Sequence, residues 1–194
     1  DTDGYLNPGE EPTFMIYDAS EGVFFPVSPP KNQNYGFSNT GVFNIDKLMI
    51  TKPYSIDLHE YVNLISFYNL PEDNSVSLVM QDIMPNILSV QGLGVSSQYF
   101  VDGDYWAGTL QNLNISSGYW VRMDDINDDS QVDHVATLSG SGFPYDLSRV
   151  YDLHAGANLV SFPSEGSFDI AAALPDDAEA NIKAIIGEGQ ITIQ

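Results

Sequence analysis

A run of five residues, Asn63-Leu64-Ile65-Ser66-Phe67, returns later in the chain as Asn158-Leu159-Val160-Ser161-Phe162. Each run follows an Asp-Leu-His step at the same distance, Asp57-Leu58-His59 in the first case and Asp152-Leu153-His154 in the second. The same interval separates Asn86-Ile87 from Asn181-Ile182, and Gly92-Leu93-Gly94 from Gly187-Glu188-Gly189. Between these anchors the copies slip, Ser75-Val76 answering to Ser167-Phe168, and then come back into step. Self-similarity at a fixed interval is the mark of one supersecondary unit used twice, and it restricts the fold more than any single propensity.

Each anchored block has a physical reading. Val62, Leu64, Ser66 and Tyr68 alternate with Asn63, Ile65, Phe67 and Asn69, and both sets carry apolar groups, which predicts a strand buried on both faces. Asn74 is placed to cap a short helix whose apolar residues Val76, Val79, Met80 and Ile83 recur at helical spacing, with Pro85 as its stop. In the second copy Ser167 caps a helix through Ile170 and Leu174, stopped by Pro175. A strand at Ile87–Gln91 and a glycine turn follow, so each copy opens strand, helix, strand. The first copy continues with a hairpin, Gln98–Val101 and Tyr105–Ala107 around Asp102-Gly103-Asp104. The strand Tyr119–Met123, a polar loop from Asp124 to Gln131 and the strand Val132–Leu138 come next. The second copy has no counterpart of this stretch, and truncation of a longer parent is the expectation. The predicted fold class is mostly β (α+β), in β-rich modules with one short helix each. Residues 1–49 form an amino-terminal β segment, 50–145 a complete module and 146–194 a partial second one.

Composition narrows the class of function. Hydrophobic residues at 43% and aromatics at 12% are enough for a core, which removes the disordered reading. Six Lys and Arg against 27 Asp and Glu leave a net charge of -21, a surface that repels phosphate backbones and anionic membranes. There is no cysteine, so thiol catalysis, zinc-thiolate sites and disulfides are excluded. No apolar run has the length of a membrane-spanning helix, and the chain opens on Asp1-Thr2-Asp3-Gly4 without a signal peptide, as a fragment does.

Asn63–Phe67, Gly118-Tyr119-Trp120-Val121 and Thr137-Leu138-Ser139-Gly140 together resemble a repeated β-rich module, NLISFP…GYWV, of large secreted and surface proteins of marine bacteria. Val62 and Ala157 stand where that module commonly has Trp, and Tyr68 replaces a proline that the second copy keeps as Pro163. Gly4–Phe14 and Ile16–Glu21 resemble the end of an immunoglobulin-like β-module. The resemblance implies an exported, repetitive, extracellular or cell-surface protein, and it supplies no catalytic residue.

Candidate sites are few. Asp125, Asn127, Asp129, Gln131 and Asp133 place oxygen-bearing side chains at alternate positions, as a calcium loop does, but the acid at the twelfth position is replaced by Ala136. Calcium and a plain solvated acidic loop both remain readings of that run. Asp1-Thr2-Asp3-Gly4 through Glu10 copies the later part of an EF-hand loop, and the β-module resemblance accounts for the same residues without a metal. His59 and His154 stand at equal repeat positions, which points to a structural role, and His134 reads as an exposed strand residue. Ser141 lacks the glycine that a nucleophile elbow needs, and the two Gly-x-Gly steps read as turns. Tyr105 and Trp106 form a candidate sugar platform, weighed against burial of Trp106 and Trp120 in the core. The lead expectation is a non-enzymatic structural or adhesive module whose partners are a cell-surface glycan or neighbouring modules. Second comes a carbohydrate- or receptor-binding module of phage-fibre kind, and third an acidic polysaccharide hydrolase.

Overall fold

In the computed structural model, which describes residues 5–20, 22–29, 34–127, 129, 131–144, 150–162 and 164–193, the amino-terminal hairpin pairs β1 (Phe14–Asp18) with β2 (Val23–Ser28). The short β3 (Met49–Ile50) adds to β2. The chain then runs through β4 (Lys52–His59), β5 (Tyr61–Ser66) and β6 (Asn69–Leu70) into one helical turn, α1 (Val76–Val79), and a 3-10 turn at Gln81–Asn86. It continues through β7 (Ile87–Gly92), β8 (Val95–Phe100), β9 (Tyr105–Gly108), β10 (Gly118–Met123) and the long β11 (His134–Pro144). Beyond these lie α2 (Ile170–Ala173), α3 (Asp176–Glu179), β12 (Ala184–Gly187) and β13 (Gln190–Ile193). The fold is mostly β with short helices and open sheets, in agreement with the sequence pattern.

Two sheets carry the central body. One has the order β5-β10-β7-β8-β9 and the other β4-β11-β6. Together with α1 they enclose a single apolar cluster that includes Leu58, Phe67, Ile83, Val90, Val121 and Leu138. β10 holds the middle of the larger sheet's first three strands, pairing antiparallel with β5 on one side and β7 on the other. Its Tyr119, Val121 and Met123 are buried while Trp120 and Arg122 face outward. Burial of each such side chain stabilises the fold by roughly 1.5–3 kcal/mol, so β10 is the largest single contributor of its sheet.

Several local expectations are corrected. β5 is an edge strand buried on one face: Asn63 and Ile65 point inward, whereas Tyr61 and Val62 are exposed. Ser75, not Asn74, holds the cap position of α1, and the Asn74 amide instead donates to the Leu113 carbonyl at 2.7 Å. α2 is capped by Asp169 rather than Ser167, its Oδ1 accepting from the Ala171 and Ala172 amides at 3.0 and 3.3 Å. Pro85 sits inside the 3-10 turn, after α1 has already ended. β11 runs on through Ser139-Gly140-Ser141-Gly142 because those glycines admit a neighbour. A Cβ on Gly142 would lie 2.1 Å from the Leu70 carbonyl carbon, and one on Gly140 2.5 Å from the Tyr54 hydroxyl. Ser141 is therefore a strand residue in a close-packed pairing.

The second copy leans on the first. The Gly118 amide donates to the Leu159 carbonyl at 3.2 Å and the Ser161 amide to the Ser116 carbonyl at 3.1 Å, a short antiparallel bridge between Ser117 and Val160. The Phe162 amide donates to Ser66 Oγ at 3.3 Å.

Candidate functional site: two histidine–asparagine clasps and an acidic loop

The turn from β4 to β5 is closed by one side chain. Asn63 Oδ1 accepts from the His59 amide at 2.9 Å, and Asn63 Nδ2 donates to the His59 carbonyl at 2.8 Å. An asparagine can do this because its amide carries the same donor and acceptor as a peptide bond, so it stands in for a missing ladder pair. His59 Nδ1 lies 2.6 Å from the Glu60 carbonyl and therefore donates to it. Its Nε2 faces Glu188, 3.1 Å from Oε1, while the other oxygen of the same carboxylate accepts from the Leu64 amide on the free edge of β5. A doubly protonated ring makes this a charge-assisted pair. Both side chains are more than a third exposed, so the pair contributes at most about 1 kcal/mol.

The second copy has the same clasp. Asn158 Oδ1 accepts from the His154 amide at 3.0 Å, Asn158 Nδ2 donates to the His154 carbonyl at 2.9 Å, and His154 Nδ1 lies 2.9 Å from the Ala155 carbonyl. The glycine turn is equal too: Gly94 and Gly189 both have positive φ, at 72° and 64°. Gly92 pairs with Val95 as Gly187 pairs with Gln190. Both histidines thus serve turn geometry. His134 is exposed on β11, with Nε2 3.2 Å from the Thr137 hydroxyl and 3.7 Å from Asp57.

The first turn carries something the second lacks. Glu60 is fully buried, and its carboxylate accepts from the Ile126 amide at 2.9 Å and the Asp133 amide at 3.3 Å. Its own amide donates to the Asp133 carbonyl at 3.0 Å. One side chain therefore holds both ends of the acidic loop. Tyr61 follows with φ of 69°, a left-handed conformation that costs a non-glycine residue roughly 1–2 kcal/mol. Its hydroxyl donates to Asp125 Oδ2 at 3.1 Å, and this hydrogen bond is the main reason the phenol is held above its ordinary pKa. Gly156 occupies the matching place in the second copy with φ of 102°. Neither Glu60 nor Tyr61 was singled out from the sequence. A tyrosine aligned with a glycine, next to a glutamate aligned with an alanine, is the signal that marks them.

Within the loop the predicted calcium residues form a ladder of Asx turns. Asp125 Oδ1 accepts from the Asn127 amide, Asn127 Oδ1 from the Asp129 amide, and Asp129 Oδ1 from the Gln131 amide. Asn127 Nδ2 donates to Asp133 Oδ2 at 2.8 Å, which ties the run together across its width. Among the described residues no group of three or more His, Cys, Asp or Glu is placed to hold a metal ion. Asp128 lies outside the described residues, as do Asp1–Gly4 of the EF-hand-like run. Glu10 folds back onto Asn7, accepting from its amide nitrogens at 2.8 and 2.9 Å, and these bonds lower its pKa.

Tyr105 and Trp106 lie on opposite faces of β9, so they do not make one sugar platform together. Trp106 is half-buried against the core and packs on Tyr99 at a ring separation of 5.4 Å. Tyr105 is exposed and stacks on Phe100, with centroids 5.1 Å apart and planes 11° from parallel. Period-two alternation dictates this split, since neighbouring strand residues point to opposite sides. Trp120, weighed as a core residue, is 39% exposed on the outer face of β10. A shallow groove of about 200 Å³ lies elsewhere, between Tyr54, Asp82 and Ser139–Ser141. Comparison with protein-family models, with curated proteins and with solved structures finds no match for this chain.

Proposed function

We propose that the chain is a non-catalytic, extracellular structural or adhesive element of a larger surface or secreted protein, in which consecutive modules dock on one another. The observation that supports this reading most is the contact between the copies: a backbone bridge at Ser117 and Val160, and a Glu188 carboxylate shared by His59 and the edge of β5. Such contacts orient neighbours along a chain and leave the outer faces to meet a glycan or another module. The test is Glu188→Ala followed by limited proteolysis. Faster cleavage within residues 164–193, with the melting midpoint of the complete module unchanged, is the expected result. Cleavage at the wild-type rate removes the docking role, and hydrolysis of a polysaccharide by the purified chain removes the non-enzyme reading.

A second reading, carbohydrate binding, is favoured by the exposed Phe100–Tyr105 stack beside the acidic hairpin tip at Asp102 and Asp104. Flat rings cover the apolar faces of sugars. A glycan array on which the wild-type chain binds and Tyr105→Ala does not would make this the primary role.

A further inference from the structure

Module docking and the aromatic stack at Phe100 and Tyr105 leave one concave feature of the molecule without a role. The 3-10 turn at Gln81–Asn86 lies against β11, and beside it opens the groove of about 200 Å³. Pro71 and Leu78 form its apolar wall, and Tyr54, Gln81 and Asp82 its polar one. Tyr54 stands opposite Gly140 in the pairing of β4 with β11. Its ring meets Phe67 edge-on at 5.5 Å, and the residue is only 5% exposed. The hydroxyl lies over Gly140, itself a lining residue, where a Cβ would stand 2.5 Å from it. Glycine on β11 therefore leaves the phenol its place at the groove.

A phenol buried to this extent normally bonds to the protein. Tyr99 and Tyr119 in the same core do so, their hydroxyls donating to Asp104 at 2.8 Å and to the Asn114 carbonyl at 3.3 Å. The Tyr54 hydroxyl has no hydrogen-bond partner among the described residues, and neither has the side chain of Gln81 or Asp82. Burial, and then the charge of Asp82, hold the phenol above its ordinary pKa, so it keeps its proton and donates. The Asp82 carboxylate only accepts. The groove thus sets a donor and an acceptor side by side, both open to a ligand.

The pairing selects the chemistry of that ligand. An anion meets the charge of Asp82. An ammonium satisfies Asp82 but has no acceptor for the Tyr54 proton. A hydroxyl accepts from Tyr54 and donates to Asp82, and neighbouring hydroxyls on one ring do both while the ring's C–H groups cover Pro71 and Leu78. The volume is below the roughly 300–1,000 Å³ of sites for drug-sized ligands, which limits the occupant to about one ring. We propose that this groove is a binding site for one neutral polyhydroxylated ring, a pyranose unit, held by a hydrogen bond from Tyr54 and one to Asp82. It lies on the β4-β11-β6 sheet, whereas the Phe100–Tyr105 stack belongs to the other, so the two sites stand or fall separately.

The experiment titrates the full chain with the methyl pyranosides of glucose, mannose and galactose, following amide NMR shifts at Leu78–Asp82 and Ser139–Ser141. Saturable shifts there, with a Kd of about 1–10 mM for at least one sugar, are expected. Tyr54→Phe is expected to weaken binding about five-fold or more, and Asp82→Ala about ten-fold or more. Neither side chain bonds to the protein, so both variants are expected to keep the wild-type melting midpoint at neutral pH. No saturable shift with any of the three sugars at about 50 mM overturns the proposal, as does binding that survives both substitutions. Shifts confined to β8 and β9 also overturn it, and assign the sugar to the aromatic stack instead. Tighter binding of butylammonium or acetate than of any sugar overturns the ligand class.

Discussion

Replacing Asn63 by alanine removes one side chain that satisfies two backbone groups at once. Its Oδ1 and Nδ2 hold the His59 amide and carbonyl at 2.9 and 2.8 Å, and the residue is only 2% exposed. Water has poor access to that pocket, so neither group is rehydrated when the side chain is cut back. An unsatisfied buried polar group costs about 1–3 kcal/mol, and two of them put the loss at roughly 2–6 kcal/mol. At about 4–8 °C per kcal/mol, the lower part of that range, about 2–4 kcal/mol, already lowers the melting midpoint of a module of this size by roughly 8–32 °C. Asn158→Ala is the internal control. Its bonds to His154 have nearly the same lengths, 3.0 and 2.9 Å, but they lie at an exposed turn where water replaces them. That variant is expected to lose less than about 1 kcal/mol. Thermal and urea melts of the two variants, read by circular dichroism, decide the matter. Equal losses, or an Asn63→Ala loss below about 1 kcal/mol, refute the view that burial rather than bond geometry sets the value of the clasp.

Four further outcomes follow from the same geometry. Glu60→Gln replaces one carboxylate oxygen with an NH2 that cannot accept from Ile126 or Asp133, and is expected to cost about 1–3 kcal/mol with faster amide exchange at both; unchanged exchange removes Glu60 as the anchor of the loop. Tyr61→Gly relieves the positive φ while losing only an exposed phenol bond, so stability is expected to hold or rise by up to about 1 kcal/mol, whereas Tyr61→Val lowers it. Burial, with Asp82 adding a smaller repulsion, raises the Tyr54 pKa above its ordinary 10.0 and so favours the neutral form in the fold. Stability is therefore intact below pH 10.0 and falls as pH climbs past it, and Tyr54→Phe is expected to flatten that alkaline drop in melting midpoint. Thermal melts in calcium and in EDTA test the loop of Asp125, Asn127, Asp129, Gln131 and Asp133 as a calcium site: a midpoint higher in calcium assigns it the ion, and an unchanged midpoint removes the ion from this loop.

What was legible in the sequence is what local patterning encodes. The strand at Tyr61–Ser66, the β8–β9 hairpin and the glycine turns at Gly94 and Gly189 follow from alternation and turn chemistry within a few residues, whereas β4 (Lys52–His59) was not read from the sequence. The sheet order was not legible, because β10 enters between β5 and β7 from far along the chain and nothing in its own residues names those partners. For the same reason β5 was expected to be covered on two faces; its apolar Val62 lies on the exposed side of an edge strand. The helix caps were misassigned because Asn74 and Ser167 suit a cap equally well in isolation. Only the packed structure shows that Asn74 is engaged with Leu113 and that Asp169 stands two residues nearer the helix. The split of Tyr105 and Trp106 between two faces follows from parity alone, since two consecutive strand residues point to opposite sides.

The two histidine turns make the strongest case for reading differences between copies rather than their identities. Identity at His59 and His154, and at Asn63 and Asn158, reports only what the turn needs in order to close. The residues between them are where the copies part: Glu60-Tyr61 in one, Ala155-Gly156 in the other. Glycine is the unstrained choice for the left-handed position, and the second copy uses it. The first copy instead keeps a tyrosine there against its backbone preference and a carboxylate fully buried beside it. Neither substitution improves the turn. Both side chains are directed at the loop from Asp124 to Asp133, Glu60 holding its two ends and Tyr61 its flank at Asp125. The strain and the buried acid are therefore costs accepted for an ordered acidic loop, which makes that loop, rather than the repeated framework, the feature on which the first copy spends stability.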